Sequence, residues 1–358
     1  MAAGFHALRI AEVRRETADC VSLRFDLPQE AREAFAFRPG QHLTLRTQIA
    51  GEDIRRNYSL CVAPHEGELR IAIKQIDQGV FSGWVNGQVK VGDTIEVMVP
   101  HGAFTWPFEA GASRRYVSFA GGAGITPILS LMKTALAVEP KSRFTLFYGN
   151  RSAAQVMFLE ELAGLKNRYM GRLEVFHFLE DEEEEVELFN GRLDAAKTAA
   201  VLEALAPPGD VDAFFVCGPA PMMEAVEAAL IARGVPADRI LFERFTVGAL
   251  TPAQTAAARR LEAKAQGLSM TVILDGRRSK IAFDAAKGNV LENARAAGVP
   301  APFACKGGVC ATCRAKLISG KVEMKANFAL TPAELAQGYV LTCQAVPVGE
   351  GVVLDYDG

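Results

Sequence analysis

Four cysteines near the end of the chain have the type and spacing to do redox chemistry. Cys305, Cys310 and Cys313 follow C-x4-C-x2-C, and Cys343 comes after a gap of twenty-nine residues. Four thiolates at this spacing can hold a [2Fe–2S] cluster. Three ligands come from one tight loop, and the fourth must arrive from elsewhere in the fold to close the cage. Gly307 and Gly308 let the backbone wrap closely, so that amide N–H groups can face the sulfurs. Three other readings compete. A zinc site more often shows two C-x2-C pairs, and this chain has one. Disulfides require an oxidising compartment, of which the sequence gives no sign. Four unrelated buried cysteines are not expected at this spacing.

A second group of residues suits a flavin. In Arg56-Asn57-Tyr58-Ser59-Leu60, extended backbone puts Arg56 and Tyr58 on one face and Ser59 on the other. Tyr58 can stack on an isoalloxazine, Arg56 can pair with a phosphate, and Ser59 can hydrogen-bond a ring nitrogen. Arg, Tyr and Ser on any strand are also common without a ligand. Gly79-Val80-Phe81-Ser82 reads as a helix start whose free N–H groups can accept a pyrophosphate, or as an ordinary turn and cap.

A third group suits a nucleotide. Gly121-Gly122-Ala123-Gly124-Ile125-Thr126-Pro127 follows a short β run and precedes an apolar helical pattern. Thr126 is expected as the N-cap, with Pro127 at the first helical position. Strand, glycine turn and helix N-terminus offer amides to a phosphate, although the turn is not G-x-G-x-x-G. Arg151 and Ser152, with no acid beside them, favour NADPH over NADH, because an Arg there can meet the 2′-phosphate. Arg151 as a solvated loop residue is the alternative.

The elements that must position these groups divide the chain in three. Up to residue 110, short runs at 8–13, 21–27, 42–47, 58–62, 69–76 and 94–99 predict an antiparallel β-barrel for the flavin. From 111 to 246, strands at 116–120, 144–148, 173–178, 213–217 and 240–245 alternate with helices. That predicts an α/β domain with a parallel sheet for NAD(P), binding beyond the C-terminal strand ends. Residues 247–268 read as a linker with helical character. Residues 269–358 read as a small α+β β-grasp module, in which a strand over 339–345 delivers Cys343. Glu180 to Glu185 is an acidic run, read as a solvated loop. His6, His42, His65, His101 and His177 share no metal-ligand spacing and read as structural or exposed.

The formal charge of −3 offers no basic surface for nucleic acid, and no long apolar run invites a membrane. The N-terminus shows no apolar signal-peptide core, so a cytoplasmic, reducing home is expected.

Arg56-x-Tyr58-Ser59-Leu60, Gly121-Gly122-x-Gly124-Ile125-Thr126-Pro127 and Cys217-Gly218-Pro219 resemble the ferredoxin–NADP reductase superfamily. With the C-terminal plant-type ferredoxin, the likeness narrows to reductase components of multicomponent oxygenases. Tyr148 to Ser152, Phe242 to Phe245 and Leu354 to Asp357 look like the reductase subunits of phenylacetyl-CoA epoxidases. Reductases of ketosteroid hydroxylases and ring-hydroxylating oxygenases share the domain order.

The resemblance implies FAD, a [2Fe–2S] cluster and NADPH, with NADH possible, and an oxygenase as partner. It implies that Arg56, Tyr58, Ser59 and Leu60 contact the flavin. Lys74, Gln75, Val80, Phe81 and Ser82 would line the rest of the FAD. Gly122, Gly124, Thr126 and Pro127 would border the dinucleotide, Cys217, Gly218 and Met222 the nicotinamide, and Glu243 and Phe245 the flavin face. Ser59, Cys217 and Glu243 are the implied catalytic residues. A reductase for a hybrid-cluster protein or a desaturase, and a redox sensor, are the other classes.

Overall fold

The computed structural model describes residues 4–246 and 251–358. The start of the expected linker, residues 247–250, lies outside them. The first unit contains β1 (Phe5–Thr17), β2 (Cys20–Asp26), β3 (His42–Ile49), β4 (Glu52–Ser59), β5 (Leu69–Lys74), α1 (Val80–Gln88) and β6 (Thr94–Met98). Its strands pair antiparallel in the order β4-β3-β6-β1-β2-β5. A bridge from Leu60 to Ile71 brings the end of β4 against β5 and closes the barrel. Leu23, Leu43, Leu45, Ile71, Ile73 and Val97 alternate inward to fill it.

The fourth strand corrects the sequence reading. It runs over Glu52–Ser59 and not from Tyr58 onward. Ala50 and Gly51 take left-handed φ values of 52° and 82°, which fold the chain straight back on β3. The charged residues of this edge strand hide it from a hydrophobicity pattern. Asp53 and Arg55 instead satisfy each other through two hydrogen bonds of 3.1 and 2.8 Å.

The second unit alternates β7 (Arg115–Gly121), α2 (Ile125–Val138), β8 (Arg143–Asn150), α3 (Leu159–Arg168), β9 (Leu173–Leu179), α4 (Ala195–Ala204), β10 (Ala213–Cys217), α5 (Ala220–Ile231) and β11 (Ile240–Glu243). All strand pairs are parallel, in the order β11-β10-β7-β8-β9. Neighbours on one strand enter opposite cores: Phe215 packs on the α2 side, and Phe214 on the α4–α5 side. Helix α2 also ties this unit to the barrel. Ser130 Oγ donates to the Val62 carbonyl at 2.6 Å, and the buried Lys133 ammonium pairs with Glu66 at 3.0 Å and with Glu161. Thr126 is not the N-cap that was expected. Residues 122–124 form a tight turn that runs directly into α2 at Ile125, so Gly124 takes the cap position. The Thr126 hydroxyl donates to the Ala123 carbonyl at 3.0 Å instead.

The third unit contains α6 (Pro252–Lys264), β12 (Ser269–Leu274), β13 (Arg277–Ala282), α7 (Val290–Ala296), β14 (Arg314–Ser319), β15 (Val322–Met324), α8 (Pro332–Ala336), β16 (Tyr339–Leu341), β17 (Ala345–Pro347) and β18 (Val352–Asp355). Its main sheet has the order β13-β12-β18-β14-β16, with β12 and β18 parallel. Much of the stretch that reads as linker is the helix α6. Thr251 and Gln254 cap it reciprocally, through bonds of 3.2 and 2.9 Å. It is seated on the third unit, with Ala265 in that core and Glu262 paired to Lys325 at 2.8 Å.

Candidate functional site

The expected flavin residues gather at one end of the barrel. Ser59 ends β4, and its buried hydroxyl has no hydrogen-bond partner. A buried hydroxyl left unpaired is costly, so it fits a group that accepts or donates there. Tyr58 packs on Phe81, with ring centroids 5.6 Å apart. A groove of about 350 Å³ runs past Gln75, Gly79 and Val80 to the N-terminus of α1, where amides are free for a phosphate. This cradle fits FAD.

The orientation of several residues differs from the simplest expectation. The Leu60 and Phe81 side chains are buried in the barrel core and offer the groove only their main chain. The Ser82 hydroxyl is already engaged: it accepts from Ile76 N at 3.2 Å and donates to the Gly79 carbonyl at 3.3 Å. Arg56 is exposed and donates to the Arg55 carbonyl at 2.7 Å, while Lys74 lies 3.6 Å from Asp19.

Two of the residues expected to be catalytic, Ser59 and Glu243, adjoin His42, which was not expected, and the third, Cys217, adjoins Glu243. Ser59 faces His42 across the β3–β4 hairpin, and Cys217 faces Glu243 across β10 and β11. His42 Nδ1 lies 3.5 Å from Glu243 Oε1, long for a hydrogen bond, and has no closer partner. Burial opposes a charge on His42, but the Glu243 carboxylate outweighs it and holds the pKa above the ordinary value. Burial, followed by that carboxylate, pushes the Cys217 thiol well above the cysteine range. Cys217 is therefore a neutral thiol at pH 7. Phe245 is exposed just beyond β11.

The nucleotide loops lie where parallel sheets bind ligands, beyond the ends of β7, β8 and β10. A Cβ on Gly124 would sit 2.0 Å from the Cys217 carbonyl oxygen, so glycine lets the two loops touch. A Cβ on Gly122 would meet nothing within 4 Å; that residue faces open space. Thr126 and Pro127 are buried, and Met222 packs on Gly121 and Gly218. The buried Asn150 amide is unpartnered at the end of β8, next to exposed Arg151 and half-buried Ser152. These features fit a dinucleotide.

In the third unit the cluster cysteines associate two and two. Cys305 adjoins Cys310, and Cys313 adjoins Cys343; hydrogen bonds within each pair lower the Cys310 and Cys343 thiols. Two pairs of thiols fit two irons better than one zinc. Cys343 lies in the turn after β16, not within a strand as expected. Thr342 N and Oγ1 both donate to the Cys313 carbonyl, at 3.2 and 2.8 Å, and this fold-back brings the fourth thiol to the loop. Gly307 N donates to Cys305 Sγ at 3.3 Å.

Three family descriptions match the three units: "Oxidoreductase FAD-binding domain" over residues 7–106, "Oxidoreductase NAD-binding domain" over 119–228, and "2Fe-2S iron-sulfur cluster binding domain" over 272–348. One of the subunits of the 1,2-phenylacetyl-CoA epoxidase of Escherichia coli K12 is 43% identical over 99% of this chain and 98% of its own. The chain belongs to the ferredoxin–NADP reductase superfamily, in the branch with a C-terminal [2Fe–2S] ferredoxin domain. The ferredoxin reductase component of the 3-ketosteroid-9-alpha-monooxygenase of Rhodococcus rhodochrous, at 33% identity, covers 98% of this chain and 96% of its own. Phthalate dioxygenase reductase shares the fold, with a TM-score of 0.58 at 24% identity and 98% coverage of both chains. The reductase is thus an electron-transferring oxidoreductase with domains for FAD, a nicotinamide nucleotide and a [2Fe–2S] cluster. Among the described residues, no helix is long and apolar enough to cross a membrane.

Proposed function

We propose that the chain passes electrons from NADPH, through FAD and the [2Fe–2S] cluster, to the di-iron oxygenase component of a phenylacetyl-CoA epoxidase. This would serve aerobic phenylacetate degradation in the cytoplasm. The observation that carries the reading is the 43% identity to the Escherichia coli epoxidase component, sustained over 99% of the chain. All seven cysteines are unpaired, which supports a reducing compartment.

When bound, the flavin takes a hydride's two electrons and can release them singly, to a cluster that takes one at a time. The protein's part is orientation. The free Ser59 hydroxyl offers a hydrogen bond at the ring edge, and Tyr58, supported by Phe81, supplies a flat face. Neutral Cys217 would fill space beside the nicotinamide without adding charge, and Glu243 would close the flavin side. Hydride transfer then needs alignment more than an acid or base. Covalent linkage of the three units keeps the relay independent of protein concentration.

Arg151 supports NADPH as the donor, because it is exposed beyond β8 and can meet a 2′-phosphate. The acidic run opposes this, since the Glu182 carboxylate accepts from Ala153 N at 2.7 Å on the same loop. We expect Arg151→Ala to raise the KM for NADPH about tenfold, the loss of one charge-assisted contact, with the KM for NADH unchanged. Equal changes for both nucleotides would remove Arg151 from the 2′-phosphate site.

The partner is tested by reconstitution with purified phenylacetyl-CoA oxygenase component and NADPH. Epoxide formation that depends on this chain is expected. If no electrons reach that oxygenase while cytochrome c is still reduced, the partner assignment fails and the relay stands.

A further inference from the structure

The five histidines read as structural or exposed, yet two of them sit where the three domains meet. His42 and His101 are paired by a β-bridge, with Nε2 atoms 3.1 Å apart. Thr312, between Cys310 and Cys313, reaches them from the third domain. Its hydroxyl lies 3.3 Å from His101 Nε2 and 3.1 Å from Thr44 Oγ1 on β3. Thr44 donates to Asn57 Oδ1 at 3.1 Å, and Asn57 Nδ2 lies 3.4 Å from His42 Nε2. At the far end, His42 Nδ1 faces Glu243 at 3.5 Å. Among the described residues, the two contacts of Thr312 are the side-chain hydrogen bonds that join the barrel to the third domain.

Two cation–π contacts accompany the Thr312 hydrogen bonds. The Phe303 ring lies under the guanidinium of Arg55 from β4, at 4.2 Å, and Phe328 is 5.7 Å from Arg244 of the nucleotide domain. Between them a cleft of about 310 Å³ is lined by His42, Phe104, Glu243, Cys310 and Phe328. Cys310 is thus on the docked side, while Cys305, the one cluster cysteine that is not buried, is at the loop's start. Thr44 and Thr312 are buried, so separating them leaves hydroxyls that must find new partners.

We infer that Thr44, His101 and Thr312 form a latch that docks the cluster loop on the flavin-binding barrel. Thr44 and His101 are positioning residues for the step between flavin and cluster. In that step one electron leaves the flavin, which is oxidised by one, and enters the cluster, which is reduced by one; no bond to the latch forms or breaks. The inference rests on the relay proposed above.

The test is anaerobic rapid mixing of the holoprotein with NADPH. For Thr44→Val with His101→Leu, flavin reduction should match wild type, while cluster reduction should be at least about tenfold slower. The isosteric Thr44→Val alone should slow the same phase, and Thr44→Ser should restore it. The electron paramagnetic resonance spectrum of the reduced cluster should not move, since neither residue ligates it. Small-angle X-ray scattering of the holoprotein should give a larger radius of gyration for the double variant. Cluster reduction at the wild-type rate in both valine variants, with an unchanged radius, overturns the latch alone. A cluster that NADPH never reduces in the unaltered protein overturns the relay, and the latch with it.

Discussion

Replacing Cys343 by Ala should abolish electron delivery through the cluster while leaving flavin reduction by NADPH intact. Cys343 is buried, 2% exposed, and is the one ligand that the cysteine loop cannot supply itself. Three contacts hold its turn in place. Thr342 bonds back to the Cys313 carbonyl, Tyr356 donates to the Thr342 hydroxyl at 2.7 Å, and Gln344 Nε2 donates to the Lys306 carbonyl at 2.9 Å. Without the fourth thiolate, the pair with Cys313 is broken and one iron loses half of its protein ligands. Reduction of cytochrome c, which draws on the cluster, should fall at least about a hundredfold, since even outer-shell partners of metal ligands are worth 10- to 100-fold. Reduction of ferricyanide, which the flavin can serve directly, should be unchanged. The barrel and nucleotide domains keep their own cores, so loss of the ferredoxin domain's fold would not remove the second activity. Wild-type cytochrome c reduction by this variant would show that the cluster is not an obligatory carrier.

The second large effect is expected at Gly124. Its missing side chain is where β7 and β10 send their loops against each other. An added Cβ would lie 2.0 Å from the Cys217 carbonyl oxygen and 2.9 Å from Gly218 N. Both are backbone atoms, so nothing flexible can yield, and the loops that should hold the nicotinamide must separate. Overpacking of this kind costs about 1–3 kcal/mol. A displacement near 1 Å at a reacting centre can cost about a hundredfold in rate. Gly124→Ala should therefore lower the melting temperature and reduce kcat/KM for NADPH, read with ferricyanide, by about a hundredfold. Gly122→Ala is the control. It meets no neighbour, and with φ at +49° it carries only the left-handed backbone penalty, about 1–2 kcal/mol. Equal losses in the two variants would mean that close approach is not what requires glycine at 124.

These residues differ in how far the sequence reveals them. The cluster cysteines are legible because ligand spacing is a local property of the chain, and Cys217 and Ser59 because each ends a short, recognisable strand motif. What a motif fixes is a position on an element, not the direction of each side chain. Leu60, Phe81 and Ser82 accordingly lie on the expected segments, but their side chains turn inward or cap themselves. Strand β4 escapes detection because an edge strand can satisfy charged side chains pairwise, as Asp53 and Arg55 do, without an apolar face. Helix α6 reads as linker because its polar composition conceals a capped helix that buries few apolar residues. The His42–His101 pair and the Thr44–Thr312 contact have no local signature. They span 59 and 268 residues, and only barrel register and domain docking bring them together.

In the proposed relay one chain turns a two-electron donor into single-electron delivery, flavin first and cluster second. Anaerobic stopped-flow mixing of the holoprotein with one equivalent of NADPH, followed at flavin and cluster wavelengths, tests it directly. A fast loss of flavin absorbance is expected, then cluster reduction coupled to partial flavin reoxidation. A fully reduced flavin beside a cluster that stays oxidised would contradict it, as would cluster reduction with no preceding flavin phase.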